Sequence, residues 1–297
     1  MRPRGGIIGA SVTPTTVAAS GVWHLREAQS YQREGIWPIL GKAPSSIAGL
    51  VGWWDFSDTT TLYNATSGGS NVTTDGSSVS RVNDKSGNGK NIVAVGAATY
   101  KTNIANGRGI VRFNGTSHCY QATSFPYFDT AYSAFVVCKT TAYASTFQAA
   151  ITGLPATNAA APNADYFLLS LQDTSASSQT DRYGYGGTNS AAASTASRTA
   201  FTVYGVSCSA NASALSVNGT GVATGTAINL GKSVSGTVSD IPSRVILNVG
   251  ALVRPANPTG VAFWPGDMCE IVWYSSDISS SDKSQLVTWL MSKWGIA

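Results

Sequence analysis

The chain has 297 residues, 43% of them apolar and only 11% charged, well under the roughly 25% charge of an average soluble domain. That balance supplies a sizeable core and leaves Ser, Thr, Ala, Asn and Gly to keep the surface soluble, as in extracellular or particle-bound β proteins rather than cytosolic enzymes. A net charge of +4 without clustered Lys/Arg and stacking aromatics excludes nucleic-acid binding, and the lack of any run near ~18–20 apolar residues excludes membrane insertion.

Residues 1–46 read as an extended N-terminal arm. Arg2, Arg4, Arg26, Arg33 and Lys42 outnumber Glu27 and Glu34, so most of the net charge sits here. The opening MRPRGGIIGASV has too short an apolar segment for a signal peptide. Residues 24–34 are expected to form a short helix, stopped by Gly35 and by Pro38 just beyond. Trp23, Leu25, Tyr31, Ile36 and Trp37 are large apolar groups on a segment with no core of its own. At about 25 cal/mol per Å² they are costly to leave in water, so they are expected to dock on another protein.

From Ile47 to the end, short apolar runs alternate with Gly, Asn, Ser and Asp clusters, the pattern of many antiparallel strands. In LVGWWDF, alternation sends one of Trp53 and Trp54 into the core. Asn114-Gly115 and Asn218-Gly219 are expected to make tight turns needing positive φ. Ser/Ala/Thr-rich stretches at 172–200 and 220–240 read as long loops. Cys119, Cys138, Cys208 and Cys269 lack paired spacing and sit in or beside apolar runs, so they are expected as buried free thiols, with one cross-strand disulfide left open. The chain closes with an amphipathic helix. Ser279 is its N-cap and Asp282 the acidic residue three places on, while Leu286, Trp289, Leu290 and Trp294 form the apolar face and Gly295 the stop.

Chemistry has little material to work with. Glycoside hydrolysis needs two carboxylates about 5–10 Å apart, and the only glutamates are Glu27, Glu34 and Glu270. Glu270 stands alone in MCEIVWY, since regular alternation puts Asp267 on the opposite face. The two histidines, His24 and His118, are far apart. No catalytic residue is assigned and no enzyme activity is expected. No cofactor is expected either. Asn83–Gly89 gathers oxygens as calcium loops do, but such residues also dominate ordinary turns, and Asp84 is the one weak metal candidate. For glycan binding, which needs exposed aromatic faces in a concave site, Trp53, Trp54, Tyr183, Tyr185 and Trp264 are available. Tyr183, Tyr185 and Trp264 are the candidates, with the two tyrosines of DRYGYGG sharing one strand face.

The blocks GLVGWWDFSDTTTLY, VSRVNDKSGNGKNIVAV, GIVRFNGTSHCY and EIVWYSSDISSSDKSQLVTWLMSKWGI, in that order, resemble laminin-G-like, concanavalin-A-like jelly-roll domains. The resemblance implies an antiparallel jelly-roll sandwich over residues 47–297. The leading block GIIGASVTPTTVAASGVWHLREAQSYQREGIWP is similar to the opening segments of bacteriophage structural proteins. It implies a virion component assembled in the host cytoplasm, a tail fibre, spike or baseplate protein. Other virion proteins would hold residues 1–46, through Trp23, Leu25, Tyr31, Ile36 and Trp37. The outward domain would meet host surface glycan, and a homo-oligomer stays open. The alternatives are a head decoration protein or head fibre and, from another class, a soluble carbohydrate-binding lectin or a glycan hydrolase.

Overall fold

The computed structural model describes residues 13, 24–33, 41–128, 130–141, 147–156, 167–173, 179–185, 188–194, 199–209, 212–225, 244–254 and 257–297. In chain order these form α1 (Leu25–Arg33), a 3-10 turn at Pro44–Ser46, β1 (Leu50–Asp55), β2 (Leu62–Tyr63), β3 (Ser78–Val82), β4 (Ile92–Ala105), β5 (Arg108–Asn114) and β6 (Cys119–Ala122). Then come β7 (Tyr132–Thr140), β8 (Phe147–Pro155), β9 (Phe167–Asp173), β10 (Gln179–Tyr185), β11 (Thr188–Ser194) and β12 (Thr202–Ser209). The last are β13 (Ala212–Val217), β14 (Thr220–Gly225), β15 (Arg244–Val249), β16 (Leu252–Arg254), β17 (Asn257–Val261), β18 (Pro265–Tyr274) and α2 (Ser280–Trp294).

The strands build an antiparallel sandwich. One layer runs β1–β18–β7–β12–β13–β14 and the other β11–β10–β9–β8–β15–β6–β4, extended by β3 and β2. The ladder is continuous between them because β5 bonds to both β4 and β18. Long β4 makes the crossing, pairing with β6 near Val93–Gly96 and with β5 at Thr99–Lys101. Its register breaks between Ala94 and Gly96 and again after Lys101, the kind of irregularity that bends a strand out of one sheet. Between the layers lie Val82, Tyr120, Ile151 and Leu247 from one side and Trp54, Val136, Val206, Ile271 and Trp273 from the other.

Strands β7, β12 and β18 are buried nearly end to end, which explains why AFVVC and IVWY are continuous apolar runs and not alternating ones. Their second face is covered by α2. Leu286, Val287, Leu290 and Trp294 pack there on Phe135, Val137, Val203, Cys269, Val272 and Tyr274. The expected caps are present: Ser279 Oγ accepts the Asp282 N–H at 3.1 Å, and Gly295 closes the helix at φ 65 in the left-handed region. The expected all-β jelly-roll sandwich with one C-terminal helix therefore stands.

Three local expectations change. Residues 172–200, read as loop from their Ser/Ala/Thr content around the single strand of Tyr183 and Tyr185, carry a longer β10 and also β11, with Tyr183 opposite Ala191. A ladder is made by backbone groups, so small side chains do not forbid it. Asn218-Gly219 is the tight hairpin expected, with φ 49 and 81, whereas Asn114 caps a wider loop, its Oδ1 accepting the N–H groups of Thr116, Ser117 and His118. The sandwich also takes hold of the chain before residue 47. The Lys42 N–H donates to the Gln285 carbonyl at 3.1 Å, and the Tyr274 hydroxyl to the Pro44 carbonyl at 3.0 Å. Of the arm, helix α1 forms as expected and carries Leu25 and Tyr31, while Trp23, Ile36 and Trp37 lie outside the described residues. All four cysteines are buried thiols outside any disulfide among the described residues.

Candidate functional site

A polar cleft of about 420 Å³ opens where β1, the loop after β3, the β4–β5 hairpin and the end of α2 meet. On β1, alternation buries Trp54 completely and turns Trp53 outward to form one wall. The loop is pinned to the same strand, since the Trp53 N–H donates to Asp84 Oδ1 at 2.9 Å and the Lys85 N–H to the Trp53 carbonyl at 2.7 Å. Asp84 also accepts from the Ser86 N–H, the Ser86 hydroxyl and the Lys90 N–H. These are the bonds of a turn hub, and they aim Lys85 at the cleft. Lys85 Nζ reaches Asp55 at 3.1 Å and Asp58 at 2.6 Å and lies 4.6 Å above the Trp53 ring. Among the described residues no three His, Cys, Asp or Glu side chains gather as metal ligands.

Beneath the cleft lies a carboxylate pair, of which Asp55 reaches its lining. Asp55 on β1 stands opposite Glu270 on β18 in the strand register. Lys293, from the last turn of α2, donates to both, 2.8 Å from Asp55 Oδ2 and 2.7 Å from Glu270 Oε2. The two oxygens therefore lie no more than about 5.5 Å apart, drawn together by the ammonium they share. Glu270 is wholly buried and also accepts the indole N–H of Trp53 at 2.6 Å and of Trp294 at 2.8 Å. Burial and the neighbouring Asp55 charge push the Glu270 carboxyl up, only partly offset by Lys293 and the Trp53 bond. Burial would raise Asp55 too, but the Lys293 charge and hydrogen bond, with Ser57 and Lys85, outweigh it and hold Asp55 below the usual range.

The opposite wall belongs to α2. Trp289 meets Trp53 edge to face, ring centres 6.3 Å apart at 76°. The β4–β5 hairpin turns at Asn106-Gly107 with φ 47 and 73 and brings two donors to the helix end. Asn106 Nδ2 and Arg108 Nε donate to the Lys293 carbonyl at 3.1 and 3.0 Å, satisfying an orphan acceptor of the last turn.

Little of this is legible in the sequence. The carboxylate beside Glu270 comes from β1 and not from its own strand. A register break between Met268 and Glu270 also upsets the alternation. Met268 faces the core between the layers, whereas Cys269 and Glu270 both lie on the helix side, so Asp267 and Glu270 share a face after all. Asp267 has its own partners there, Arg112 at 2.6 Å and Lys139 at 3.5 Å. Trp264, a glycan candidate from sequence, is wholly enclosed in the core and offers no ring to a ligand. Tyr183 and Tyr185 lie on β10, paired with β9 and β11, and their side chains lie outside the described residues. Trp289, assigned from periodicity to the apolar face of the helix, does pack partly buried against the helix-side core, and its remaining surface lines the cleft.

No protein-family model and no curated protein matches the sequence. Solved structures do match in fold. One is a Trypanosoma rangeli sialidase in complex with sialic acid, 14% identical at a TM-score of 0.54, aligned over 86% of this chain and 34% of the sialidase. Another is a GH54 α-L-arabinofuranosidase soaked with a cyclic sulfate inhibitor, 14% identical at a TM-score of 0.54, over 81% of this chain and 63% of the enzyme. The chain thus spans about a third of the sialidase's length. These similarities correct two expectations. The virion structural role is overturned because the matched structures are glycosidases. The expectation of no enzyme activity is overturned on the same ground, and the lone-glutamate argument behind it fails because Asp55 stands beside Glu270.

Proposed function

We propose that this chain binds glycan, with the cleft between Trp53 and Trp289 as the seat. One observation carries the reading: two half-buried tryptophans wall an open cleft whose rim and floor supply a hydroxyl from Ser292, a guanidinium from Arg108 and the ammonium groups of Lys85 and Lys293. Apolar walls with a few convergent polar groups are what sugar recognition requires. The fold shared with glycosidases supports it. Titration against a panel of immobilised oligosaccharides tests it. Binding to at least one glycan is expected, weakened about tenfold or more by Trp289→Ala, since truncating a central aromatic anchor costs above ~2 kcal/mol. A folded protein that binds nothing on the panel, or a Trp289→Ala variant that binds as well as the parent, sinks the proposal.

A second reading, glycoside hydrolysis, has its own observation. Asp55 held low and Glu270 pushed up is the split that an acid and a charged partner need. It ranks second because Glu270 is fully enclosed, with its oxygens engaged by Trp53, Trp294 and Lys293. Release of reducing sugar from a bound glycan, lost in Glu270→Gln, would promote it.

A further inference from the structure

We infer that the cleft selects sugars that carry a carboxylate, read by the guanidinium of Arg108; this rests on the glycan-binding reading above. The charges of the cleft are layered by depth. Its anions lie at the bottom, with Glu270 wholly buried and Asp55 at 4% exposure. Both are already met by Lys293. Nearer solvent stand Lys85, partly exposed and paired with the equally exposed Asp58, and Arg108, exposed at the mouth with no carboxylate partner among the described residues. The uncompensated charge that an entering ligand meets is therefore that of Arg108.

The tryptophans point the same way. Lys85 Nζ lies 4.6 Å from the Trp53 ring centre and Lys293 Nζ 4.9 Å from that of Trp289. An ammonium over each ring leaves less aromatic face for the C–H stacking on which a neutral pyranose depends. What the cleft offers in quantity is charged donors. Arg108 is prepared for this use. Its Nε bond to the Lys293 carbonyl orients the guanidinium plane, while its two terminal nitrogens bond nothing among the described residues. That leaves a fork of N–H donors fixed in direction and suited to a carboxylate. The end of a helix by itself repels an anion. Here the exposed carbonyl of the last turn is covered by Asn106 and Arg108, so that a ligand meets the guanidinium and not the bare carbonyl.

The test is calorimetric titration of the full chain with matched pairs: tetragalacturonate against tetragalactose, and sialyllactose against lactose. The two pairs separate a uronic from a sialic carboxylate. The acidic member of at least one pair is expected to bind about tenfold tighter or more, the worth of a charge-assisted hydrogen bond, and the advantage should shrink at high salt. In Arg108→Gln the acidic-to-neutral ratio should fall to near one, while Arg108→Lys, which keeps charge but not the fork, should restore only part of it. Equal affinity for acidic and neutral partners in the parent protein overturns the inference and leaves glycan binding standing. So does an unchanged ratio in both Arg108 variants. No binding to any of the four sugars, nor to the wider panel, overturns the glycan reading itself.

Discussion

Replacing Lys293 by Met removes the one ammonium shared by Asp55 and Glu270 and keeps most of the side-chain volume. Taking one partner from a buried ion pair costs about 3–5 kcal/mol. The lower end applies here. Asp55 keeps Lys85 at 3.1 Å, and Glu270 keeps two indole N–H donors at 2.6 and 2.8 Å. The expected loss at pH 8 is therefore ~3 kcal/mol, or about 6–12 °C in melting temperature for a domain of this size. It should shrink in acid. Burial and the Asp55 charge already raise the Glu270 carboxyl above its ordinary 4.5, and without Lys293 only the indole bonds oppose them. A carboxyl whose folded value lies above its unfolded value gains a proton on folding, so its destabilising charge disappears as pH falls through the folded value. Urea unfolding of parent and variant at pH 5 and pH 8 reads both effects. A loss under about 1 kcal/mol at pH 8, or equal losses at the two pH values, would refute the reasoning, because the pair would then be solvated or held by other groups.

Asp84→Ala deletes an acceptor of four hydrogen bonds and frees the loop that aims Lys85. A loss of ~2 kcal/mol in a thermal melt is expected, together with weaker glycan binding by titration. Gly266→Ala places a Cβ 2.1 Å from the Lys139 carbonyl oxygen, a backbone atom that cannot swing aside. It should cost about 1–3 kcal/mol in urea unfolding, at a position where φ is not the obstacle. Ser279→Ala removes the cap of α2 and should lower stability by ~1 kcal/mol, visible as a modest fall in melting temperature.

What could be read in advance were features set by neighbouring residues. The alternation of WW, the Asn218-Gly219 turn and the Ser279 and Gly295 caps depend on a few adjacent positions, and the structure has each of them. The Asn106-Gly107 step carried the same turn signal as Asn218-Gly219 and went unread, although it sets Arg108 at the cleft mouth. The carboxylate pair was hidden for another reason. Asp55 and Glu270 lie 215 positions apart in sequence, and only the pairing of β1 with β18 sets them opposite. The break beside Met268 then turns Glu270 to the helix side, and a bulge has no dependable signature in one sequence. Trp289 falls on the apolar period of α2 and would be core on any helical wheel. It lies at a cleft because the sheet beneath it ends at β1.

The same geometry explains why so costly a group as Glu270 sits where it does. Its raised carboxyl means that the fold tolerates the charge and does not gain from it at neutral pH, and apolar side chains in place of a whole buried pair are often no worse for stability. What the charge supplies is position. Lys293 is the point where β1, β18 and α2 are tied together, through Asp55 and Glu270, and the two indole bonds of Glu270 hold Trp53 and Trp294 to the same point. Trp289 and Ser292 are on the turn so anchored, and Trp53 is on the strand. The cleft therefore exists only when the first and last strands of the sandwich have paired and the terminal helix has docked. Replacing Glu270 by Leu should leave a folded sandwich while loosening the last turn of α2 against β1. Lys293 keeps Asp55 while the Trp53 and Trp294 indole N–H groups lose their acceptor, so the expected outcome is a loss of about 2–4 kcal/mol together with weakened glycan binding, read by urea unfolding and titration on one sample. A variant as competent in binding as the parent would show that hydrophobic packing of Leu286, Leu290 and Trp294 alone sets the helix in place.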